Sequence, residues 1–258
     1  MISTLFSLLD KVALVTGGSK GIGRMIAQGF IQAGCSKVYI TGRDAEACAQ
    51  TARDLGPKCI ALPQDVSTVV GCRQLAQTFA AHEERLNILV NNAGSDWIDN
   101  FEVFPEAGWD RVMDLNIKSP FFLIQALHQL LIAAASPNRP SKVINIVSID
   151  ALKLNPVEAY SYYASKSGLL FLTRRLAARL IKDGIVVSAI APGSFPTDMN
   201  FPARDDPKAV AERNPSGRIG APEDMQGAAI FLASRAGDWV VGDTIAVDGG
   251  KALANTGG

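Results

Sequence analysis

Short apolar, β-rich runs recur along this 258-residue chain, with segments of helical spacing between them. The runs lie at 12–16, 37–41, 58–63, 88–91, 142–147, 186–191 and 244–247. They are close to continuous in apolar side chains instead of alternating, which is the pattern of strands buried on both faces. The i, i+3, i+4 spacing predicts helices at 21–33, 45–55, 68–83, 109–134, 159–182 and 222–234. Strand and helix in strict alternation imply a parallel α/β sheet covered on both sides. Asp44 reads as the N-cap of the second helix, and Pro222 followed by Glu223 and Asp224 reads as the start of the last one. Segment 193–221 is the one long stretch without a clear pattern, and such stretches in compact domains are often lids or binding loops. No linker or repeat divides the chain, so a single domain over 1–258 is expected.

Composition narrows the classes. Hydrophobic residues make up 48% and charged residues 19%, the balance of a globular chain. The formal net charge is zero, and no basic run argues for nucleic acid or a membrane surface. The four cysteines, Cys35, Cys48, Cys59 and Cys72, form no Cys-x-x-Cys pair and read as reduced thiols of a cytoplasmic protein. With only two histidines, His82 and His128, neither a histidine-rich metal site nor a Ser-His-Asp triad is expected. The first nine residues have no basic leader pattern. The apolar stretch 121–135 is shorter than a membrane span and is interrupted by Gln125, His128 and Gln129, so a buried helix is the reading.

Two segments carry candidate chemistry. The first strand ends in a turn containing Gly17, Ser19, Lys20, Gly21, Ile22 and Gly23, directly before a helix. Glycines there let a backbone approach phosphate, and a helix N-terminus offers free N–H groups. The spacing Gly-x-x-x-Gly-x-Gly is neither the standard dinucleotide fingerprint nor a P-loop. Farther along, Ser148 follows the apolar run 143–147, and Tyr162 and Lys166 stand one helical turn apart on a common face. A serine, a tyrosine and a lysine so placed can act on a carbonyl. Lowering a tyrosine from pKa ~10 to near neutrality needs about 4 kcal/mol of differential stabilisation. The neighbouring lysine and a cationic nicotinamide ring are the expected sources.

Taken in order, Thr16-Gly-x-x-x-Gly-x-Gly23, Asn91-Asn-Ala-Gly94, Asn116, Ser148, Tyr162-x-x-x-Lys166 and Pro192-Gly193 resemble the motifs of classical short-chain dehydrogenases/reductases. The resemblance runs from about Leu8 to Gly250, and within the family it is nearest to bacterial 3-oxoacyl reductase-like members, including those of rhamnolipid synthesis. It implies a Rossmann-like, doubly wound, seven-stranded sheet, with the dinucleotide site mainly in 10–120 and the catalytic residues and substrate lid in 140–222. It also implies roles. Tyr162 is the acid/base, Ser148 holds the carbonyl oxygen, Lys166 tunes the tyrosine and holds the nicotinamide ribose, and Asn116 anchors a water leading to the lysine. Pro120 lacks the N–H that would otherwise bond the Asn116 carbonyl, which could free that carbonyl for the water. Asp65 and Val66 would meet adenine, although Asp65 reads equally as a turn residue. Asn92, Ala93 and Gly94 would lie against the adenosine ribose, with Asn91 serving the cofactor or the fold. Pro192, Gly193 and Thr197 would flank the nicotinamide.

Arg43, at the end of the second strand, and Lys20 favour the 2′-phosphate of NADP(H) over the bare ribose of NAD. The expected pocket wall is Asp96, Trp97, Ile149, Asp150, Leu152, Leu154, Tyr163, Phe195, Met199 and Phe201. Its apolar bulk suits a 3-oxoacyl thioester, a β-keto ester or another hydrophobic ketone, while Asp96 and Asp150 face solvent or a hydroxylated substrate. The alternatives are an NAD-dependent alcohol or sugar-alcohol dehydrogenase and a nucleotide-sensing regulator. Tyr160 and Tyr163 read as packing or wall residues. The family resemblance further implies a homotetramer or dimer built on the two longest helices.

Overall fold

The computed structural model describes residues 2–253 and contains one parallel sheet of seven strands, ordered β3-β2-β1-β4-β5-β6-β7. The strands are β1 Val12–Thr16, β2 Lys37–Thr41, β3 Cys59–Ala61, β4 Ile88–Asn91, β5 Ser141–Ile146, β6 Ile185–Pro192 and β7 Thr244–Val247. The helices are α1 Ile2–Leu5, α2 Gly21–Gln32, α3 Ala45–Leu55, α4 Val69–Ala80, α5 Glu106–Met113, α6 Ser119–Ala134, α7 Tyr160–Leu180, α8 Phe201–Asp205, α9 Pro207–Glu212 and α10 Pro222–Ala233. Alternate residues of one strand feed opposite cores. Ala13 and Val15 pack with Ile26, Phe30 and Met225 of α2 and α10, whereas Val12 and Leu14 pack with Phe79, Leu123 and Leu127 of α4 and α6. That division is the doubly wound architecture expected from the sequence.

Caps set several helix starts. The Asp44 carboxylate accepts from the Ala47 N–H at 3.0 Å, and the Thr68 hydroxyl accepts from the Gly71 N–H at 3.0 Å. At α10, Pro222 opens the helix and Asp224 accepts from the Ala221 N–H at 2.8 Å.

Three predicted elements need correction. β3 is shorter than 58–63, although the Lys58 carbonyl and the Leu62 N–H on either side of it still bond to β2. The helix predicted at 109–134 begins at Glu106 and passes through a π turn, Asp114–Lys118, before α6. By length and composition this continuous run, Glu106–Ala134, could cross a membrane, although Leu123, Ile124, Leu127 and Leu131 are buried against the sheet as in a core helix. The unpatterned segment 193–221 contains α8 and α9, each too short for periodicity to reveal. The last eight residues, 251–258, are polar and small and read from the sequence as loose, and 254–258 of them lie outside those described. Lys251 lies inside the described chain, and its ammonium donates to Ser194 Oγ at 3.0 Å.

Strand order reverses between β1 and β4, and a crevice opens at the carboxyl ends of the strands around that point.

Candidate active site

The crevice is one cavity of about 1120 Å³, running from Arg43 and Asp65 at one end to Tyr162 and Lys166 at the other. Its volume exceeds the usual range for a site holding one small ligand. Its first wall is the turn after β1. Gly17 has a positive φ of 63°, and a Cβ there would stand 2.8 Å from Asn92 Nδ2. A Cβ on Gly23 would collide with the Gly17 carbonyl. Gly23 therefore closes the turn from behind and does not line the cavity, contrary to its expected ligand role. Gly17, Ser19, Lys20, Gly21 and Ile22 do line it. Lys20 is the N-cap of α2 and makes no side-chain cap bond, so the first-turn N–H groups of a 12-residue helix face the cavity without a side-chain cap.

β4 is tied to this turn through Thr16. Its Oγ1 accepts from the N–H groups of Asn92 and Ala93, each at 2.9 Å. Asn92 Nδ2 donates to the carbonyls of Thr16 at 2.8 Å and Gly17 at 3.2 Å, so this side chain holds the loop while its residue lines the cavity. Asn91 belongs to the fold. Buried, it donates to Asn145 Oδ1 at 2.8 Å, and Asn145 donates to Thr173 Oγ1 at 2.9 Å. Asp65 takes both readings that the sequence left open, accepting from the Ser67 N–H at 2.9 Å as a turn residue while it and Val66 line the cavity. Exposed Arg43 stands at the rim. Lys20 reaches instead to the lid, with Nζ 2.8 Å from Asp198 Oδ2.

The reacting end is assembled from β5 and α7. Ser148 lies just past β5 and caps the short turn Ile149–Ala151. Lys166 is buried, its Nζ donating to the carbonyl of Ile146, the last residue of β5, at 2.9 Å and lying 5.6 Å from the Tyr162 ring centroid. Burial draws the Lys166 ammonium down to about 8. Burial also pushes the Tyr162 phenol above its ordinary value, a hydrogen bond with Ser148 opposes this, and the charges of Asp150 and Asp96 add to the rise. Within the protein alone, the tyrosine is therefore raised.

Asn116 is 1% exposed and does not line the cavity. It sits in the π turn and clamps the backbone of Ser95, accepting from its N–H at 2.9 Å and donating to its carbonyl at 2.8 Å. It also donates to Ser165 Oγ at 3.0 Å. Its side chain thus ties β4's loop to α7 beside the lysine. Gly94 leaves room there, since a Cβ would stand 3.3 Å from Asn116 Oδ1 and 3.6 Å from Lys166 Nζ.

The family model described as Enoyl-(Acyl carrier protein) reductase matches residues 17–252. The chain belongs to the short-chain dehydrogenase/reductase family. The rhamnolipids biosynthesis 3-oxoacyl-[acyl-carrier-protein] reductase of Pseudomonas aeruginosa is 46% identical over 250 residues, covering 95% of this chain and 97% of that protein. The 2-dehydro-3-deoxy-D-gluconate 5-dehydrogenase of Dickeya dadantii is 39% identical over 253 residues, covering 97% and 98%. Among solved structures, the Pseudomonas aeruginosa RhlG/NADP active-site complex superposes with a TM-score of 0.93 at 46% identity, covering 97% of this chain and 99% of that one.

Of the expected wall, Asp96, Ile149, Asp150, Tyr163, Phe195 and Met199 line the cavity, as do Pro192, Gly193 and Thr197 of the nicotinamide end. Trp97, Leu152, Leu154 and Phe201 do not. Trp97 packs where a Gly108 side chain would be and lies beneath the Arg111 guanidinium, whereas Leu154 is 90% exposed. Tyr160 is a packing residue, edge-on to Phe101 and Phe104. Arg111, Asn155, Arg213 and Lys251 also line the cavity, and no local motif announced them. Asp150 neither faces solvent alone nor stands free. Ser148 Oγ donates to its Oδ2 at 3.1 Å, and its own N–H donates back to Ser148 Oγ at 3.1 Å. Burial raises the Asp150 carboxyl, while Ser148, Asn155 and the Lys251 charge pull it down.

Proposed function

We propose that the protein uses NADPH to reduce the keto group of a 3-oxoacyl thioester, β-keto ester or related hydrophobic ketone. The observation that carries this is the meeting of Ser148, Tyr162 and Lys166 in one cavity with the glycine turn and the uncapped start of α2. The residues present fit a nicotinamide dinucleotide. Free N–H groups at α2 suit the pyrophosphate, Arg43 at the rim suits a 2′-phosphate, and Lys166 suits the nicotinamide ribose. NADPH, when bound, supplies the hydride. The Ser148 hydroxyl, which donates to Asp150 in the free protein, turns to donate to the carbonyl oxygen and stabilises its developing charge. Tyr162 donates its phenolic proton to that oxygen, and its raised value keeps it a proton donor at neutral pH. Lys166, at about 8, is still predominantly an ammonium there. Asn116 acts through Ser95 and Ser165 as a positioning residue.

The relative from Pseudomonas aeruginosa supports an acyl substrate, and the mostly apolar cavity wall agrees with it. A hydroxylated substrate is the second reading, favoured by the carboxylates of Asp96 and Asp150 in the wall and by the sugar-acid dehydrogenase relative. The four cysteines are free and buried, and burial pushes Cys35 up to about 12 and Cys59 to about 11, so reduced, inert thiols of a cytoplasmic protein are the expectation. A tetramer or dimer is expected, with exposed Phe171, Trp239 and Val241 as available apolar surface.

The test is consumption of NADPH and of NADH with acetoacetyl thioester, ethyl acetoacetate and aryl ketones. Turnover should prefer NADPH, and Tyr162→Phe should lower kcat by at least about a hundredfold while NADPH binding persists. Undiminished activity of the phenylalanine variant would remove Tyr162 from the reaction.

A further inference from the structure

Resting on that reading, we propose that Asp150 selects substrates by charge, admitting neutral keto esters and thioesters and rejecting keto acids that carry a carboxylate beside the reacting carbonyl. A carbonyl oxygen bonded to Ser148 Oγ at about 2.7 Å lies within about 6 Å of the Asp150 carboxylate, because Oδ2 is only 3.1 Å from that hydroxyl. The carboxylate is held in place. Its residue sits in the turn Ile149–Ala151, closed by the Ala151 N–H to the Ser148 carbonyl at 3.1 Å and anchored by buried Ile149. Asp96 faces the same reacting end from the loop after β4, so two acidic groups act on Tyr162 together. The Lys251 charge acts on Asp150 and the Arg111 charge on Asp96, so each carboxylate is only partly offset, and no ion pair joins either of them to these cations among the described residues. Lys251 donates to Ser194 Oγ, Lys166 to the Ile146 carbonyl, and Arg111 lies 5.8 Å over the Trp97 ring. The substrate's carboxylate lies beyond the reacting carbonyl oxygen, and two like charges roughly 8 Å apart at an effective dielectric constant of about 20 disfavour binding by on the order of thirtyfold. An ester or thioester of the same skeleton carries no such charge.

The experiment compares kcat/KM for ethyl acetoacetate and for acetoacetate with NADPH, in the unaltered protein and in Asp150→Asn. Asparagine keeps the size and an acceptor for Ser148, and the ester-to-acid ratio within each protein cancels any change in Ser148 alignment. The ratio should be about thirty in the unaltered protein and fall below about five in the variant. NADPH binding monitored by fluorescence checks folding, and Asp150→Ser repeats the ratio if the asparagine variant does not fold. Equal use of acid and ester by the unaltered protein, or an unchanged ratio in a folded variant, overturns the proposal. If neither these substrates nor any other ketone is reduced, the reductase reading itself fails and takes this proposal with it.

Discussion

The floor of the cleft and its lid are held together by different forces. On the floor, Asn116, Ser165 and the Ser95 backbone are buried and joined by hydrogen bonds of 2.8–3.0 Å, and buried Lys166 donates to the Ile146 carbonyl at 2.9 Å. Buried polar groups of this kind have one arrangement that satisfies them, and leaving a partner unpaired is costly. The lid is held by Asp198, which bridges Lys20 of the glycine turn and Arg204 of α8, with Asp205 also on Arg204. Those four side chains are all substantially exposed, and exposed ion pairs contribute little. The chemistry is therefore built where burial dictates geometry, while access is left to contacts that water and salt can replace.

The contrast can be broken from the floor first. Asn116→Ala strands the N–H and carbonyl of Ser95, so stability should fall by about 2–4 kcal/mol in urea denaturation, with kcat reduced as Lys166 loses its surroundings. A variant of unaltered stability would show that the clamp on Ser95 is dispensable. At the rim, Arg43→Glu should raise KM for NADPH relative to NADH by about ten- to a hundredfold. Steady-state titration of both cofactors measures this, and an unchanged ratio would leave Arg43 a surface cation.

The pH profile sharpens the same comparison. The folded value of Lys166 lies below that of a free lysine, so its ammonium is present below about 8 and lost as pH rises through that value. Tyr162 is displaced upward and remains protonated over this range. Reduction should therefore be level at neutral pH, and kcat/KM should fall about tenfold per unit above about 8. A profile flat to pH 10 would mean that the lysine charge is not needed. The smallest effect is expected in the lid, where Asp198→Asn should move the melting temperature by less than about 2 °C and lower KM for NADPH modestly by releasing Lys20. A large stability loss would show that the lid is part of the rigid body after all.

Legibility in the sequence followed the same boundary. β1, β2, β4 and β7 lie where the apolar runs placed them, because continuous burial on both faces leaves a strong local pattern. The cap at Asp44 was equally local. α8 and α9 left no such trace, being shorter than two turns. Gly23 was recognised as part of the phosphate turn, but its work is steric and faces the Gly17 carbonyl, which spacing alone does not reveal. Arg213 and Lys251 enter the cavity from regions remote in the chain from Tyr162, and their residue types carry no motif.

The sequence by itself determined the parallel sheet, the glycine turn ahead of a helix, and the face shared by Tyr162 and Lys166. Each of these depends on spacing within one element or between neighbours. Only the tertiary structure decided the protonation balance and the shape of the pocket. Burial lifts Tyr162 and lowers Lys166, Asp150 captures the Ser148 hydroxyl, and Asn116 turns to Ser95, because desolvation and long-range hydrogen bonding arise only when distant segments exclude water from one another.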